Sequence, residues 1–296
     1  MRRRHLLQGC CAALGAGLFT GLGFASVEDG AGLSEAGRMR PPWLNPCLGP
    51  LPAALADHDR VRAVFEGLDP ARLVDTHAHL LGTGDAGSGC TIHPSLSQWW
   101  HPVEVMRRRG ILNASCVSPD APSVDRAYVE RLQRLARDFP PGARWWLFAF
   151  DQAYTDAGRP DPDHTTFHVP DLYARAVADA NADRFDWVAS IHPYRDDAAS
   201  ALQRAAQGGA KAVKWLPSAM NIDLRDRRST AFAEGAARLG LPLIVHSGEE
   251  LAVPGAGRDA FGNPLHVRHL LERGATVVMA HCGSLCLLYT SPSPRD

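Results

Sequence analysis

Three times in the last third of the chain a helix-like segment stops at glycine, and a short apolar run follows that carries a polar residue able to bind metal or substrate. Asp196 to Gln207 stops at Gly208-Gly209 before Ala212-Val213-Lys214-Trp215-Leu216. A helix near Ser229 to Leu239 stops at Gly240 before Leu243-Ile244-Val245-His246, and Pro264 to Arg273 stops at Gly274 before Val277-Val278-Met279-Ala280-His281. Glycine adopts the left-handed conformation that closes a helix. Strands alternating with helices form a parallel sheet, because parallel neighbours need a crossover between them. Two earlier runs, Trp145 to Phe150 ending at Asp151 and Trp187 to Ile191 ending at His192, fit the same plan with longer connections.

The first strand of the series, Val74-Asp75-Thr76-His77-Ala78-His79, carries two histidines one residue apart. Alternate side chains of a strand share a face, and two residues rise about 6.6 Å. His77 and His79 therefore project together, at a spacing from which both imidazoles can reach one metal ion. Asp75 shares their parity one step lower, where a carboxylate can orient a ligand histidine through its second nitrogen. Several strands delivering nitrogen ligands at their C-terminal ends describe a metal site in the mouth of a parallel barrel.

The 296 residues, 45% hydrophobic and 21% charged, suffice for one α/β barrel or two smaller domains. A formal net charge of −1 gives no basis for nucleic-acid or anionic-membrane binding and leaves a small-molecule substrate as the expected partner. Of 31 basic residues only Lys211 and Lys214 are lysine.

At the N-terminus, Arg2-Arg3-Arg4 and an Ala/Gly/Leu-rich stretch to Ala25 read as a twin-arginine export signal, with no stable membrane span once it is removed. A periplasmic location follows. Residues 26–70 form a Pro/Gly-rich lead-in, with a short helix expected over Asp57 to Leu68 and Val61, Val64, Phe65 and Leu68 on one face. Outside the signal, Cys47, Cys90, Cys116, Cys282 and Cys286 show no zinc-finger spacing; a disulfide or buried thiols both fit. Residues 80–143 are too long for an ordinary βα loop and read as an insert beside the metal strand, a lid, substrate wall or structural cap. It opens on a glycine-rich turn, Gly82 to Gly89. Ile111 to Val117 fits a strand or a buried helix, and Val124 to Phe139 carries a helical stripe.

Asp-Thr-His-Ala-His-Leu (75–80), Val-Lys-Trp-Leu-Pro (213–217), Ile-Val-His-Ser-Gly (244–248) and Val-Met-Ala-His-Cys-Gly (278–283) together resemble the amidohydrolase superfamily, in its amidohydrolase-related metal-dependent hydrolase branch. The resemblance implies a (β/α)8 TIM barrel over residues 71–284 and hydrolysis of amide, ester or lactone bonds. It implies one or two divalent ions held by His77, His79, Lys214, His246 and His281. Neutral imidazoles suit zinc, and manganese, iron and nickel also fit. In such families a strand-four lysine, carboxylated by carbon dioxide, bridges two ions. Arginine cannot take that role because it stays protonated. Lys214, at the C-terminal end of its strand, is the expected ligand; Lys211 sits at the opposite end. The competing reading pairs Lys214 with a carboxylate such as Asp151. With a single ion, His281 would polarise the substrate or orient the water, so Lys214 and His281 are the expected catalytic residues. His192, Trp215, Glu249 and Glu250 flank these positions as packing or supporting groups.

The family pattern ends with an aspartate after strand eight. Here about six of eight strands are found, and 285–296 reads as a non-native tail like a translated sequencing adapter, so that Asp296 is not that aspartate. The expectation is a C-terminally truncated, inactive fragment of a hydrolase. A metal-dependent non-oxidative decarboxylase and a catalytically dead ligand-binding barrel are the alternatives.

Overall fold

A computed structural model describes residues 45, 47, 52–248, 250 and 252–280. The chain divides into two units, Met1–Leu48 and Gly49–Asp296. In the first, only Asn45 and Cys47 are described; the Asn45 Oδ1 accepts the Cys47 N–H at 3.0 Å, and Cys47 is disulfide-bonded. The export signal, most of the lead-in, His281, Cys282, Cys286 and the 285–296 tail lie outside the described residues.

Among the described residues the second unit is built on six parallel strands: β1 (Val74–His79), β3 (Arg144–Phe148), β5 (Phe185–Val188), β6 (Val213–Trp215), β7 (Leu243–His246) and β8 (Val277–Ala280). They pair in the order β1-β3-β5 and β6-β7-β8. A parallel bridge between Ala189 and Val213 joins the two halves. Each pair is parallel because a helix intervenes, and glycine ends those helices as expected: Gly209 and Gly240 sit at φ 80° and 68°. A side chain at either would meet nothing within 4 Å. Backbone conformation, not space, is therefore what calls for glycine there.

Strand alternation sorts the interior into two cores. Phe148, Val188, Ala212, Ile244 and Ala280, with Trp146, form a cluster on one face of the sheet. Leu147, Trp187, Val213, Trp215, Leu243 and Val245, on the other face, pack with the helical residues Ala174, Leu202 and Phe232. The smaller cluster lines the inside of the curved sheet and the larger lies between sheet and helices, as in a parallel barrel. Among the described residues β1 pairs only with β3 and β8 only with β7. Val278 of β8 is correspondingly exposed, whereas β6 and β7 are buried throughout.

Several expectations are corrected in detail. The lead-in helix expected over Asp57 to Leu68 is present as Asp59–Phe65, preceded by a separate turn of helix, Ala53–Ala56; of its apolar stripe Val61 and Phe65 are half-buried, whereas Val64 and Leu68 are exposed. Of the run Ile111 to Val117, for which strand and helix both fitted, Ile111 to Ala114 close a helix, Pro102–Ala114, and a second helix follows, Val124–Ala136. In the third repeat, Pro264–Val267 and Arg268–Leu271 replace one continuous helix. A two-residue strand in the insert, β2 (Thr91–Ile92), pairs antiparallel with β4 (Phe167–His168) in the loop after β3, tying the insert to the mouth of the sheet. Cys116 of the insert is disulfide-bonded, and Cys90 is a buried free thiol. Among the described residues no helix is long and apolar enough to cross a membrane.

Candidate metal centre

Parallel pairing carries the ends of β1, β6 and β7 to the same edge of the sheet, so the side chains singled out on these strands can meet. The rings of His77 and His79 do meet. Their Nε2 atoms are 3.2 Å apart and their centroids 5.1 Å apart. Two nitrogens each about 2.0–2.1 Å from a shared tetrahedral ion stand roughly 3.4 Å apart. The separation therefore matches two ligands of one ion.

Phe148, at the end of the neighbouring β3, supports both rings, with centroids 4.9 Å from His77 and 5.5 Å from His79. Its register partner across the strand pair is His79. Lys214 approaches the same ring from β6: its Nζ lies 5.1 Å from the Phe148 centroid. Only 1% of Lys214 is exposed, and among the described residues its Nζ has no hydrogen-bond partner. Loss of hydration lowers its pKa to about 8, and the Glu250 carboxylate opposes that shift. A buried amine left without an acceptor costs about 1–3 kcal/mol. Retaining one beside two convergent histidines points to chemistry and not to packing. Of the carboxylates, the buried Asp151 is engaged elsewhere, pairing with Arg195 at 3.0 Å and accepting the backbone N–H of His192 at 2.8 Å, and it is Glu250 whose charge acts on Lys214. Lys211 is half exposed at the other end of its strand, 3.5 Å from Asp186.

His246 ends β7 and is buried; its Nδ1 lies 3.4 Å from Glu250 Oε2. The other Glu250 oxygen accepts the N–H groups of Ala252 and Val253 at 2.8 and 2.9 Å. Glu250 thus faces His246 while its charge reaches Lys214, a carboxylate placed to orient a ligand imidazole. The loops after β6 and β7 interlock beyond it: the Ala256 N–H donates to Ala219 O, and a Cβ on Gly255 would sit 2.2 Å from that oxygen.

Not every flanking residue joins the site. Asp75 accepts the His77 backbone N–H at 2.9 Å, and an irregularity between Asp75 and Ala78 breaks the alternation that would have carried its carboxylate up beside the imidazoles. His192 is fully buried; its Nε2 donates to Met220 O at 2.8 Å and its Nδ1 accepts the Tyr194 N–H at 3.1 Å. Burial lowers its pKa to about 4, so it is a neutral packing histidine. Trp215 packs outward on Phe232 and donates to Ile191 O. Glu249 and His281 lie outside the described residues. Among the described residues, no group of three or more His, Cys, Asp or Glu side chains could hold a metal ion.

A family model described as Amidohydrolase matches residues 74–285, most of the chain. The chain belongs to the amidohydrolase family. No curated protein matches it. Similar solved structures include a probable 2-pyrone-4,6-dicarboxylic acid hydrolase from Acinetobacter baumannii with citric acid bound, at 14% identity over 71% of this chain and 58% of that one, TM-score 0.38. Another is the 5-carboxyvanillate decarboxylase of Sphingomonas paucimobilis, at 16% identity over 72% and 68%, TM-score 0.44. A third is a 5-carboxyvanillate decarboxylase mutant from Novosphingobium aromaticivorans with bound manganese and 3-methoxy-4-hydroxy-5-nitrobenzoic acid, at 13% identity over 71% and 66%, TM-score 0.41. The chain spans 58% of the length of the first of these.

Two contributors to this candidate site carried no signal of their own in the sequence. Phe148 reads as one more apolar residue of a strand; only its place at the strand end, level with His79, marks it as the shared support. Tyr128, in the insert, donates its hydroxyl to the His79 carbonyl at 2.9 Å. The helical stripe that contains it indicates burial but not that partner.

Proposed function

We propose that this protein is a metal-dependent hydrolase of amide, ester or lactone bonds, with its metal held by His77 and His79 and extended toward Lys214 and His246. The observation that carries the reading is the 3.2 Å approach of the two Nε2 atoms beside a buried amine with no acceptor. That donor set fits one or two divalent ions, with zinc first among them. When bound, such an ion supplies Lewis acidity and an activated water. The chain's own part is to hold the imidazoles on the Phe148 ring, to face His246 with Glu250, and to keep Lys214 dry. An amine with a pKa near 8 has an appreciable neutral fraction near pH 7, the form that reacts with carbon dioxide to give a bridging carbamate. His281, the residue that follows β8 in the sequence, completes this proposal.

The same lysine favours a second reading, non-oxidative decarboxylation. Left uncarboxylated, a protonated Lys214 beside the apolar face of Phe148 would hold the carboxylate of an aromatic acid. Product analysis separates the two. Metal-loaded protein is offered ester, lactone and amide panels together with aromatic carboxylic acids, and acid release and carbon dioxide are measured. Hydrolysis without carbon dioxide supports the first reading; carbon dioxide from the aromatic acids alone replaces it with the second. Export to an oxidising compartment is part of the proposal, supported by the twin-arginine pattern and by disulfide-bonded Cys47 and Cys116.

A further inference from the structure

The strand that carries both histidines is flanked on one side only among the described residues, yet its last residue must be held to within about 0.5 Å for two imidazoles to share an ion. The helix Val124–Ala136 supports that residue from the insert. Tyr128, one turn into it, donates its hydroxyl to the carbonyl of His79 itself at 2.9 Å. Burial raises the phenol pKa to about 12, so it remains a donor at any working pH.

The same helix grips the loop that leaves the strand. Asp125, with no exposure, accepts the N–H groups of Thr83, Gly84 and Ala86 at 2.6, 3.2 and 3.3 Å and the Ser88 hydroxyl at 2.6 Å. The loop answers in kind. Asp85 accepts the N–H groups of Val124 and Asp125 at 2.6 and 3.2 Å and the Ser123 hydroxyl at 2.7 Å. One carboxylate from each side thus satisfies the other's unpaired donors, at a helix N-terminus whose dipole favours negative charge. Gly82 permits the approach, since a Cβ there would sit 2.7 Å from Asp125 Oδ1. The glycine-rich turn beside His79 is thereby a fixed wall of the site.

We propose that Tyr128 and Asp125 are positioning residues for the His77–His79 metal pair, acting through the His79 carbonyl and the 82–89 turn. The inference rests on the metal reading above and adds that the insert, through this helix, sets metal affinity. Supporting groups that orient ligands typically change affinity 10–100-fold.

Zinc affinity of the 296-residue chain is measured by chelator competition for wild type, Tyr128→Phe, Asp125→Asn and, as an exposed control on the same helix, Glu130→Gln. The visible spectrum of the cobalt-substituted protein and a thermal melt are recorded for each. Tyr128→Phe is expected to weaken zinc about tenfold and to shift the cobalt bands, with Glu130→Gln matching wild type. Tyr128→Phe decides the matter if Asp125→Asn does not fold. Wild-type zinc affinity and cobalt bands in Tyr128→Phe, with only the melt lowered, would reduce the helix to a structural clamp and overturn the inference. A wild-type chain that binds neither zinc nor cobalt overturns the metal reading first, and this inference with it.

Discussion

The Nζ of Lys214 stands 5.1 Å from the centroid of the Phe148 ring, and that ring also supports both imidazoles of the H-x-H strand. One aromatic side chain therefore touches three candidate ligands from two non-adjacent strands.

Truncating that support should damage fold and site together. Phe148 is 1% exposed, and Phe148→Ala is expected to cost about 3–5 kcal/mol in denaturant unfolding. Phe148→Leu, which keeps most of the volume, should cost far less and yet weaken metal binding, because the flat face shared by the rings is gone. Full metal affinity in a folded Phe148→Leu protein would show the ring to be filler.

Lys214 and Lys211 should behave oppositely. Replacing Lys214 with Met removes a buried amine without a partner, so stability is expected to hold or to rise, by at most on the order of 3 kcal/mol, while activity disappears. Lys211→Met breaks an exposed contact to Asp186, which Arg144 already holds with two hydrogen bonds, and should stay within about 0.5 kcal/mol with activity intact. Equal activity in the two variants would remove Lys214 from the site.

His192 gives the pH dependence a defined sign. Burial lowers its folded pKa to about 4 from 6.5, so the unfolded chain binds its proton first as the solution is acidified. Stability from this group is full above pH 6.5 and is lost progressively down to pH 4, a total of about 3 kcal/mol. Asp171, whose carboxyl burial raises to about 7, titrates in the opposite sense over the same range. The comparison is therefore wild type against His192→Gln in unfolding titrations from pH 7 to pH 4. The variant should lose the histidine's share of the slope; superimposable slopes would mean His192 is not the group responsible.

How far the sequence foretold this arrangement varies with the kind of signal. The parallel order was legible because Gly209 and Gly240 mark helix ends by backbone conformation, which depends on no distant neighbour. His77 and His79 were legible because two-residue parity survives at the end of β1. Asp75 shows the converse: its carboxylate accepts the His77 N–H, the irregularity between Asp75 and Ala78 falls between it and His79, and nothing in the residue types announces that shift of register. The pairing of Thr91–Ile92 with Phe167–His168 was invisible because each strand is two residues long and their partnership is purely tertiary. The Asp125 clasp left a faint trace: a glycine-rich turn has many unpaired N–H groups and needs an acceptor. Which carboxylate would supply it depended on how the insert folds back.

The central claim is that His77 and His79 hold one metal ion with Lys214 beside them, and zinc titration with chelator competition tests it most directly. The experiment compares the wild-type chain with a His77→Ala, His79→Ala double variant, each checked by circular dichroism. Both histidines lie on an edge strand and are partly exposed, so the double variant should remain folded. The account predicts stoichiometric zinc in the wild type and at least about a hundredfold weaker binding in the double variant. Equal zinc affinity in the two proteins would contradict it.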